Sequence, residues 1–327
     1  MKQRVNMNKA ASIKNLTINF GDFTAVDKVN IEIEQGKVYG LLGPNGAGKT
    51  TIIRAMSTLI EPSDGSIEIF GTDVVKNPDL IRKSIGLAGQ YAAVDEALTG
   101  MQNLEMIGRL YHLPRAVVKK RAAETLERLS LLDAADRRVK HYSGGMRRRL
   151  DLGASLIGHA KFILLDEPTT GLDPRTRNEL WLLIKEIIAE GSTILLTTQY
   201  LEEADALAST IGIIDRGKKV AEGTSNQLKS KMGGNVIELV AKASNQQIQQ
   251  ISPRARFDEG SDSWKIKVQK NGVSELAQLA SKFSEANIKL EELGLHRPSL
   301  DDVFLSLTGH RAEDQSENNK KPARKKK

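Results

Sequence analysis

The sequence predicts an α/β fold in which helices cover both faces of a mostly parallel sheet. Short apolar runs, rich in leucine or β-branched residues, occur at 38–42, 162–165, 193–196 and 211–214. Longer amphipathic segments separate these runs, and a glycine-rich turn directly follows the first of them. Strands that are apolar on both faces and alternate with helices are typical of a doubly wound parallel sheet.

We place this α/β core at 13–234. A helical segment interrupts it, and segments of different composition precede and follow it. Strand-like runs disappear at about 93–150 and apolar residues take helical spacing, which predicts an inserted helical subdomain. Residues 235–310 predict a small appended α+β domain, because strand and helix candidates follow one another there. An N-terminal extension at 1–12 and a basic tail at 311–327 complete the predicted organisation.

The appended domain has a recognisable order of elements. Its strand candidates are 236–241, 264–268 and 289–294, and its helix candidate is 273–286. Ser299 and Asp302 have the spacing of a capping box before a final apolar helix face. The domain could brace the core, sense a ligand or pair two subunits, and these three alternatives stay open.

Composition excludes several classes of protein. The chain has 327 residues and no cysteine, which excludes disulfides and thiol metal sites and fits a reducing compartment. It has no apolar run of about 18 residues and no apolar signal core at its N-terminus, so we expect a soluble chain. Residues 320–327 carry six of the net +7 charges, so a role in binding RNA or anionic lipid would depend on a tail that is by default solvated.

The glycine-rich turn predicts a nucleotide site, because it reads G-x-x-x-x-G-K-[ST] between a strand and a helix. Its glycines let backbone N–H groups close around phosphates, Lys49 offers a charge to the β- and γ-phosphates, and Thr50 offers a hydroxyl to Mg²⁺. The residues predicted to contact nucleotide here are Gly43, Pro44, Asn45, Gly46, Ala47, Gly48, Lys49, Thr50 and Thr51.

A second motif places two carboxylates at the end of an apolar strand. Asp166 and Glu167 follow the run at 162–165, and the ligands of such sheets bind at the carboxyl ends of strands. We expect Asp166 to hold the Mg²⁺ shell, through water, and Glu167 to polarise the water that attacks the γ-phosphate.

A third motif, Ser143-Gly144-Gly145 before a predicted helix, forms a further anion site. With Tyr142 and Met146 it resembles the signature sequence of ABC transporter nucleotide-binding subunits. This resemblance implies that the signature of one subunit closes on ATP held by the phosphate loop of another. Because the chain has one of each, it implies a homodimer with two ATP molecules between the subunits.

The same resemblance assigns three further residues. Gln90 resembles the Q-loop glutamine, which contacts Mg²⁺ and reports nucleotide state to the transmembrane partner, and the region from Gln90 to Leu113 is the expected docking surface. Asp173 resembles the D-loop aspartate at the dimer seam. Phe20 matches the aromatic residue that stacks on adenine, although its alternation with Ile18 is also typical of a core strand face.

Gln199 is a departure from the family pattern, which usually has a switch histidine at this place. The histidines of the chain all lie elsewhere, at His112, His141, His159, His296 and His310. A glutamine amide can hydrogen-bond the γ-phosphate but cannot carry a proton as imidazole does. We therefore expect Glu167 to dominate turnover, with Gln199 and Gln90 in supporting roles.

Segments containing these motifs also resemble the ATPase subunits of daunorubicin/doxorubicin-type drug exporters. They are 89–92, 142–152, 197–204 and 299–305. The resemblance implies ATP and Mg²⁺ as cofactors, a separately encoded polytopic membrane permease, a place at the cytoplasmic face of the membrane, and no specific nucleic acid. A soluble ABC-type ATPase acting on ribosomes or DNA and an importer ATPase are the alternatives. A GTP switch is disfavoured because no Asn-Lys-x-Asp is found.

Overall fold

The computed structural model describes residues 9–89, 94–231, 235–258, 261–268, 271–296 and 299–308. It divides the chain between Thr224 and Ser225 into two units. From the sequence we expect this boundary at residue 234. The segment between the two positions includes α8 (Ser225–Lys231), which contacts the last helix of the second unit, and this contact explains the earlier division.

The first unit contains two sheets in its described part. Its strands are β1 (Lys9–Phe20), β2 (Phe23–Glu34), β3 (Val38–Leu42), β4 (Asp64–Ile69), β5 (Thr72–Asp73), β6 (Ile85–Ala88), β7 (Phe162–Asp166), β8 (Thr193–Thr198), β9 (Thr210–Asp215) and β10 (Lys218–Gly223). Its helices are α1 (Lys49–Met56), α2 (Pro78–Ser84), α3 (Gly100–Leu110), α4 (Arg115–Arg128), α5 (Gly144–Leu156), α6 (Pro174–Ala189) and α7 (Leu201–Leu207).

The larger sheet has the order β10-β9-β3-β8-β7-β6 and confirms the predicted α/β fold. The pairs from β9 through β6 are parallel, and among the described strands of this sheet only the edge strand β10 pairs antiparallel. Every residue of β3, β7 and β8 is buried, as expected for strands covered on both faces. The carboxyl ends of these three strands meet at one edge of the sheet, and this edge carries the site described below.

The smaller sheet has the order β2-β1-β4-β5 and is antiparallel. Ile13, Leu16 and Ile18 of β1 are buried in one apolar cluster with Ile52 and Ile53 of α1. This packing fixes the helix that follows the glycine-rich turn against a rigid layer.

The region predicted to be helical contains α3, α4 and α5 in its described part, together with short 3₁₀ turns at 132–134 and 139–141. A capping box starts α3, because Thr99 accepts from the Gln102 amide and the Gln102 side chain accepts from the Thr99 amide. Leu104, Leu126 and Leu150, one from each helix, are fully buried in a shared core.

The second unit contains a four-stranded antiparallel sheet in its described part. Its elements are α8, β11 (Val236–Ala241), α9 (Asn245–Ile251), β12 (Arg256–Asp258), β13 (Ser263–Lys267), α10 (Gly272–Glu285), β14 (Leu290–His296) and α11 (Leu300–Thr308). The order β12-β13-β11-β14 with helices after β11 and β13 is the ferredoxin-like βαββαβ arrangement.

Most of the predicted elements of this unit agree with the structure within two residues, but α9 and β12 have no counterpart among them. The capping box of α11 is confirmed. The Ser299 amide donates to Asp302 Oδ2 (2.9 Å), and the Asp302 amide donates to Ser299 Oγ (3.1 Å). No helix in the described residues of either unit combines the length and apolar character needed to cross a membrane.

Candidate nucleotide-binding site

The phosphate loop joins β3 to α1 and has the backbone that its glycines predict. Gly46 and Gly48 have φ of +79° and +104°, in the left-handed region that favours glycine. A Cβ on Gly48 would lie 2.6 Å from the Ala25 carbonyl oxygen, and one on Gly43 would lie 2.2 Å from that of Ile214. Neither Gly43 nor Gly48 can be replaced without moving the backbone.

The remaining loop residues divide between surface and interior. Asn45 is exposed, whereas Pro44 and Ala47 are buried, and the Ala47 amide donates to the Pro44 carbonyl oxygen (3.2 Å). Thr50 and Thr51 lie in the first turn of α1. The free amides of a helix start favour negative charge, so this turn is suited to phosphate.

Lys49 is the buried cation of the site, with 3% of the residue exposed. Its Nζ donates to the carbonyl oxygens of Gly43 (2.7 Å) and Pro44 (2.9 Å) and lies 3.1 Å from Glu167 Oε1. Burial lowers the pKa of Lys49, and the neighbouring carboxylates of Glu167 and Asp166 oppose this shift. The ammonium is thus held between the loop that precedes α1 and the end of β7.

Asp166 lies at the last position of β7 and is 2% exposed. Its Oδ1 accepts from the hydroxyls of Thr197 (2.5 Å) and Thr50 (3.2 Å). A carboxylate beside the hydroxyl of the phosphate-loop threonine is the hard-oxygen set that Mg²⁺ prefers when nucleotide phosphates complete its shell. The donor chemistry of Thr50 and Asp166 therefore fits the predicted metal.

Glu167 has a left-handed backbone with φ of +50°, which costs a non-glycine residue about 1–2 kcal/mol. Its amide donates to both the carbonyl oxygen (3.1 Å) and the hydroxyl (3.0 Å) of Thr197. Its Oε2 accepts from the Thr170 hydroxyl (3.3 Å). The carboxylate that the sequence assigns to catalysis is thus fixed at the sheet edge, 7% exposed and beside Lys49.

The signature motif starts α5. Ser143 is the N-cap residue, its side chain accepts from the Met146 amide (3.2 Å), and Ser143 and Gly144 are exposed. A Cβ on Gly145 would lie 2.5 Å from Thr176 Cγ2, so glycine is needed for the approach of α6. An exposed cap at the start of a 13-residue helix can present its amides to an anion from outside this chain.

Gly144 and Glu167 line one cavity of about 350 Å³. Asp173, six residues after Glu167, is exposed and is the N-cap of α6. Its two carboxylate oxygens accept from the amide (3.0 Å) and the hydroxyl (2.7 Å) of Thr176. The hydrogen bond from the Thr176 hydroxyl contributes most to lowering the pKa of Asp173, and the bond from the Thr176 amide adds to it. Thr176 therefore connects the signature glycine to the D-loop aspartate.

Three further residues are predicted to belong to the site, namely Gln199, Phe20 and Gln90. Gln199 follows β8 directly and is partly buried, at the same sheet edge as Asp166. Phe20 is 51% exposed at the end of β1, which excludes the alternative that it belongs to the core face. Gln90 lies outside the described residues, although Gly89 before it is described.

Sequence reasoning missed two polar residues that support the site. Thr197 is hidden in an apolar run, yet it pairs with Asp166 across the parallel ladder and bonds both carboxylate residues. Glu203 of α7 is fully buried, accepts from Trp181 Nε1 (3.0 Å), and has its pKa raised by burial. Glu203 lies in a helix that also carries Glu202 and Asp205, so its sequence context does not distinguish it as the buried carboxylate.

A parallel sheet with a phosphate loop, two carboxylates at the next strand end and a Ser-Gly-Gly helix start defines an ABC-type ATPase. Residues 26–170 match the family described as "ABC transporter", and residues 223–308 match "ATP-binding protein DrrA1-3-like, C-terminal domain". The second match begins close to the division between the two structural units.

Curated relatives extend this match to nearly the whole chain. "Daunorubicin resistance ATP-binding protein DrrA2" of Streptomyces coeruleorubidus is 48% identical over 301 residues, which is 90% of this chain and 94% of that protein. "Doxorubicin resistance ATP-binding protein DrrA" of Mycobacterium tuberculosis is 46% identical over 89% of this chain and 91% of its own length. "Nod factor export ATP-binding protein I" of Cupriavidus metallidurans is 34% identical over 94% of this chain and 100% of its own length.

Solved structures give the same fold. An ATP-binding subunit of an ABC transporter is 26% identical, covers 68% of this chain and 93% of its own, and has a TM-score of 0.63. A dimeric post-hydrolysis ATP-binding cassette bound to ADP and Pi is 25% identical, covers 65% and 98%, and has a TM-score of 0.60.

The chain belongs to the DrrA family of ABC transporter ATP-binding proteins, the daunorubicin/doxorubicin-type exporter ATPases. It is an ATP-binding subunit and an ATPase of an ABC transporter. This confirms the fold, the family and the enzyme class predicted from the sequence.

Proposed function

We propose that this ATPase drives the export of an amphipathic, drug-like compound through a separate polytopic permease at the cytoplasmic face of the membrane. The observation that carries the proposal is 45–48% identity, over about nine-tenths of the chain, to proteins named for daunorubicin or doxorubicin resistance. Nod factor export proteins at 34–35% identity support the same direction of transport, which disfavours an importer.

Within this proposal, the buried residues act on the γ-phosphate. Lys49 binds the β- and γ-phosphates, and these compete with Glu167 for the ammonium that now lies 3.1 Å from Glu167 Oε1. Once displaced, the Glu167 carboxylate is free to orient and polarise the attacking water. Mg²⁺, held by Thr50, Asp166 and Gln90, would neutralise charge that develops on the phosphate oxygens.

The exposed residues complete the site from outside or at its rim. Phe20 stacks on adenine, and Gln199 hydrogen-bonds the γ-phosphate. The signature amides after Ser143 and the D-loop residue Asp173 contact ATP held by a second copy of this chain. Exposure of Ser143 and Asp173, together with a dimeric cassette among the similar structures, supports this assignment.

The proposed dimer can be tested with a variant that binds ATP but does not hydrolyse it. In Glu167→Gln, hydrolysis is blocked while ATP binding is kept, so light scattering should show an ATP-dependent dimer. Ser143→Arg in the same background places a bulky cation in the expected interface and should leave a monomer that still binds ATP. A chain that stays monomeric with ATP in the Glu167→Gln background contradicts the dimer.

The proposed permease contact is an apolar groove of about 360 Å³ in the first unit. It is lined by Leu59, Leu87, Ile107, Leu110 and Tyr111, and Leu59 and Leu110 are 62% and 71% exposed. A contiguous patch of exposed apolar side chains is typical of a protein interaction site. We assign the groove to an apolar cytoplasmic helix of the permease.

Export itself is tested in the native cells. Loss of the chain should raise intracellular accumulation of a fluorescent anthracycline such as daunorubicin, and the wild-type chain, but not Glu167→Gln, should restore the low level. Unchanged accumulation across a panel of amphipathic drugs would overturn the proposed cargo class, while the ATPase would remain measurable on its own.

A further inference from the structure

The guanidinium of Arg148 makes an unusual set of contacts in the first turn and a half of α5. It is 14% exposed and pairs with Asp151, which is fully buried. Its nitrogens donate to four backbone carbonyl oxygens, those of Pro168 (Nε, 2.6 Å), Gly89 (Nη1, 2.7 Å), Glu167 (Nη2, 2.7 Å) and Asp166 (Nη2, 3.1 Å).

These carbonyls belong to two neighbouring strand ends. Asp166, Glu167 and Pro168 form the end of β7 and the turn after it. Gly89 follows β6, which pairs with β7 in the parallel sheet, and it directly precedes Gln90. One side chain from the signature helix therefore binds the backbone of the segment that carries the catalytic carboxylate and of the segment that leads into the Q-loop.

The contact acts on a strained residue. The left-handed peptide of Glu167 is held on its amide side by Thr197 of β8 and on its carbonyl side by Arg148. Only arginine offers five N–H donors in one planar fork, whereas lysine offers three on one nitrogen and glutamine two. The four carbonyls thus match the guanidinium geometry, and no other side chain can replace it.

We propose that Arg148 is a positioning residue for ATP hydrolysis, which holds the Glu167 peptide in its strained conformation and links it to α5 and to the start of the Q-loop. The proposal rests on the proposed catalytic role of Glu167. It makes α5 the element through which a movement of the helical region reaches the carboxylate, without any change in how the phosphate loop binds ATP.

The test compares Arg148→Lys and Arg148→Gln with Arg121→Gln in the full-length chain. Arg121 also donates to a carbonyl oxygen, that of Ile157 (3.2 Å), but makes none of the contacts to the strand ends. We expect both Arg148 variants to lower kcat for Mg·ATP at least about tenfold with KM changed less than about threefold. Arg121→Gln should stay within about twofold of wild type in both constants.

Hydrogen exchange separates positioning from general destabilisation. The backbone amides of Asp166, Glu167, Thr169 and Thr170 should exchange at least about threefold faster in the Arg148 variants, while the amides of α4 stay at the wild-type rate. Wild-type kcat in folded Arg148→Gln, or faster exchange spread evenly over the unit, overturns the proposal. If Arg148→Gln does not fold, Arg148→Lys decides by the same two criteria. Retained hydrolysis in Glu167→Gln would instead refute the role of Glu167, which is a separate outcome.

Discussion

At the scale of single residues, one buried ion pair joins the start of α1 to the turn after β7. Lys49 and Glu167 lie 3.1 Å apart and are 3% and 7% exposed. Separating a buried pair without a replacement is costly. In the proposed mechanism, the phosphates of ATP replace the Glu167 carboxylate beside Lys49 when Glu167 rotates towards the attacking water. The proposed mechanism thus links binding of the phosphates to release of the Glu167 carboxylate.

Glu167→Gln should reduce kcat at least about 100-fold and leave ATP affinity within about threefold, because the amide cannot polarise water but the loop is intact. Gln199→Ala should reduce kcat only about two- to tenfold, since a glutamine has no proton to transfer. Steady-state phosphate release and binding of a fluorescent ATP analogue measure both. The assignment is wrong if Gln199→Ala abolishes hydrolysis while Glu167→Gln retains it.

Gly48→Ala should lose ATP binding and also destabilise the unit by about 2 kcal/mol or more, because a Cβ would meet the Ala25 carbonyl at 2.6 Å in a backbone with φ of +104°. Gly191→Ala is the matched control, since φ is +93° there but no atom lies within 4 Å. It should lose some stability to backbone strain and keep wild-type ATP binding. Equal binding by both variants would show that the loop tolerates a side chain.

The pH dependence of stability should include Glu203. Burial raises its pKa above the ordinary 4.5, so between the two values the folded chain binds a proton that the unfolded chain has released. Stability should therefore fall as pH rises through this window, and Glu203→Gln should remove this part of the slope. Thermal unfolding of both proteins from about pH 5 to 8 measures it. Parallel curves would refute the assignment.

At the scale of elements, the ends of buried strands and the starts of helices carry the chemistry. β3 ends at the phosphate loop, β7 at Asp166, and β8 at Thr198 before Gln199. The signature, by contrast, starts α5 and is exposed. In the proposed dimer, this division gives each chain two half-sites that a second copy completes.

The proposed permease contact, the apolar groove lined by Leu110 and Tyr111, can be tested with one substitution. Leu110→Glu places a charge in the apolar groove next to Tyr111, so it should reduce co-purification with the permease at least about tenfold and leave the unstimulated ATPase unchanged. Leu182→Glu on α6 is the control, because Leu182 is similarly exposed, at 62%, and lies outside the groove. Equal loss in both variants would show that added charge alone, and not this surface, is responsible.

Local sequence was enough to predict the phosphate loop, the carboxylate pair and the capping box of α11, because each consists of a few adjacent residues. Contacts between distant segments could not be predicted. Arg148 binds residues 18 to 59 positions away, and Thr197 bonds Asp166 at a separation of 31. In the second unit, the short strand β12 has too few residues to show an alternating pattern.

At the scale of the whole molecule, the chain is the ATP-binding subunit of an ABC transporter, and the complex that we propose adds a second copy and a permease. The family relationship establishes the ATPase, and the two half-sites and the apolar groove are the surfaces that we propose for these partners. A chain truncated after residue 224 distinguishes the three possible roles of the second unit, which are brace, sensor and dimer contact. Only dimer contact predicts that this truncation loses ATP-dependent dimerisation while keeping ATP binding.

Purification of the tagged chain from native membranes in mild detergent tests the central claim most directly. We predict that one polytopic membrane protein co-purifies in fixed stoichiometry and stimulates ATP hydrolysis, and that Glu167→Gln keeps the complex but removes the hydrolysis. A chain found only in the soluble fraction, or one that follows ribosomes or DNA, would contradict the transport function and direct attention to the basic tail.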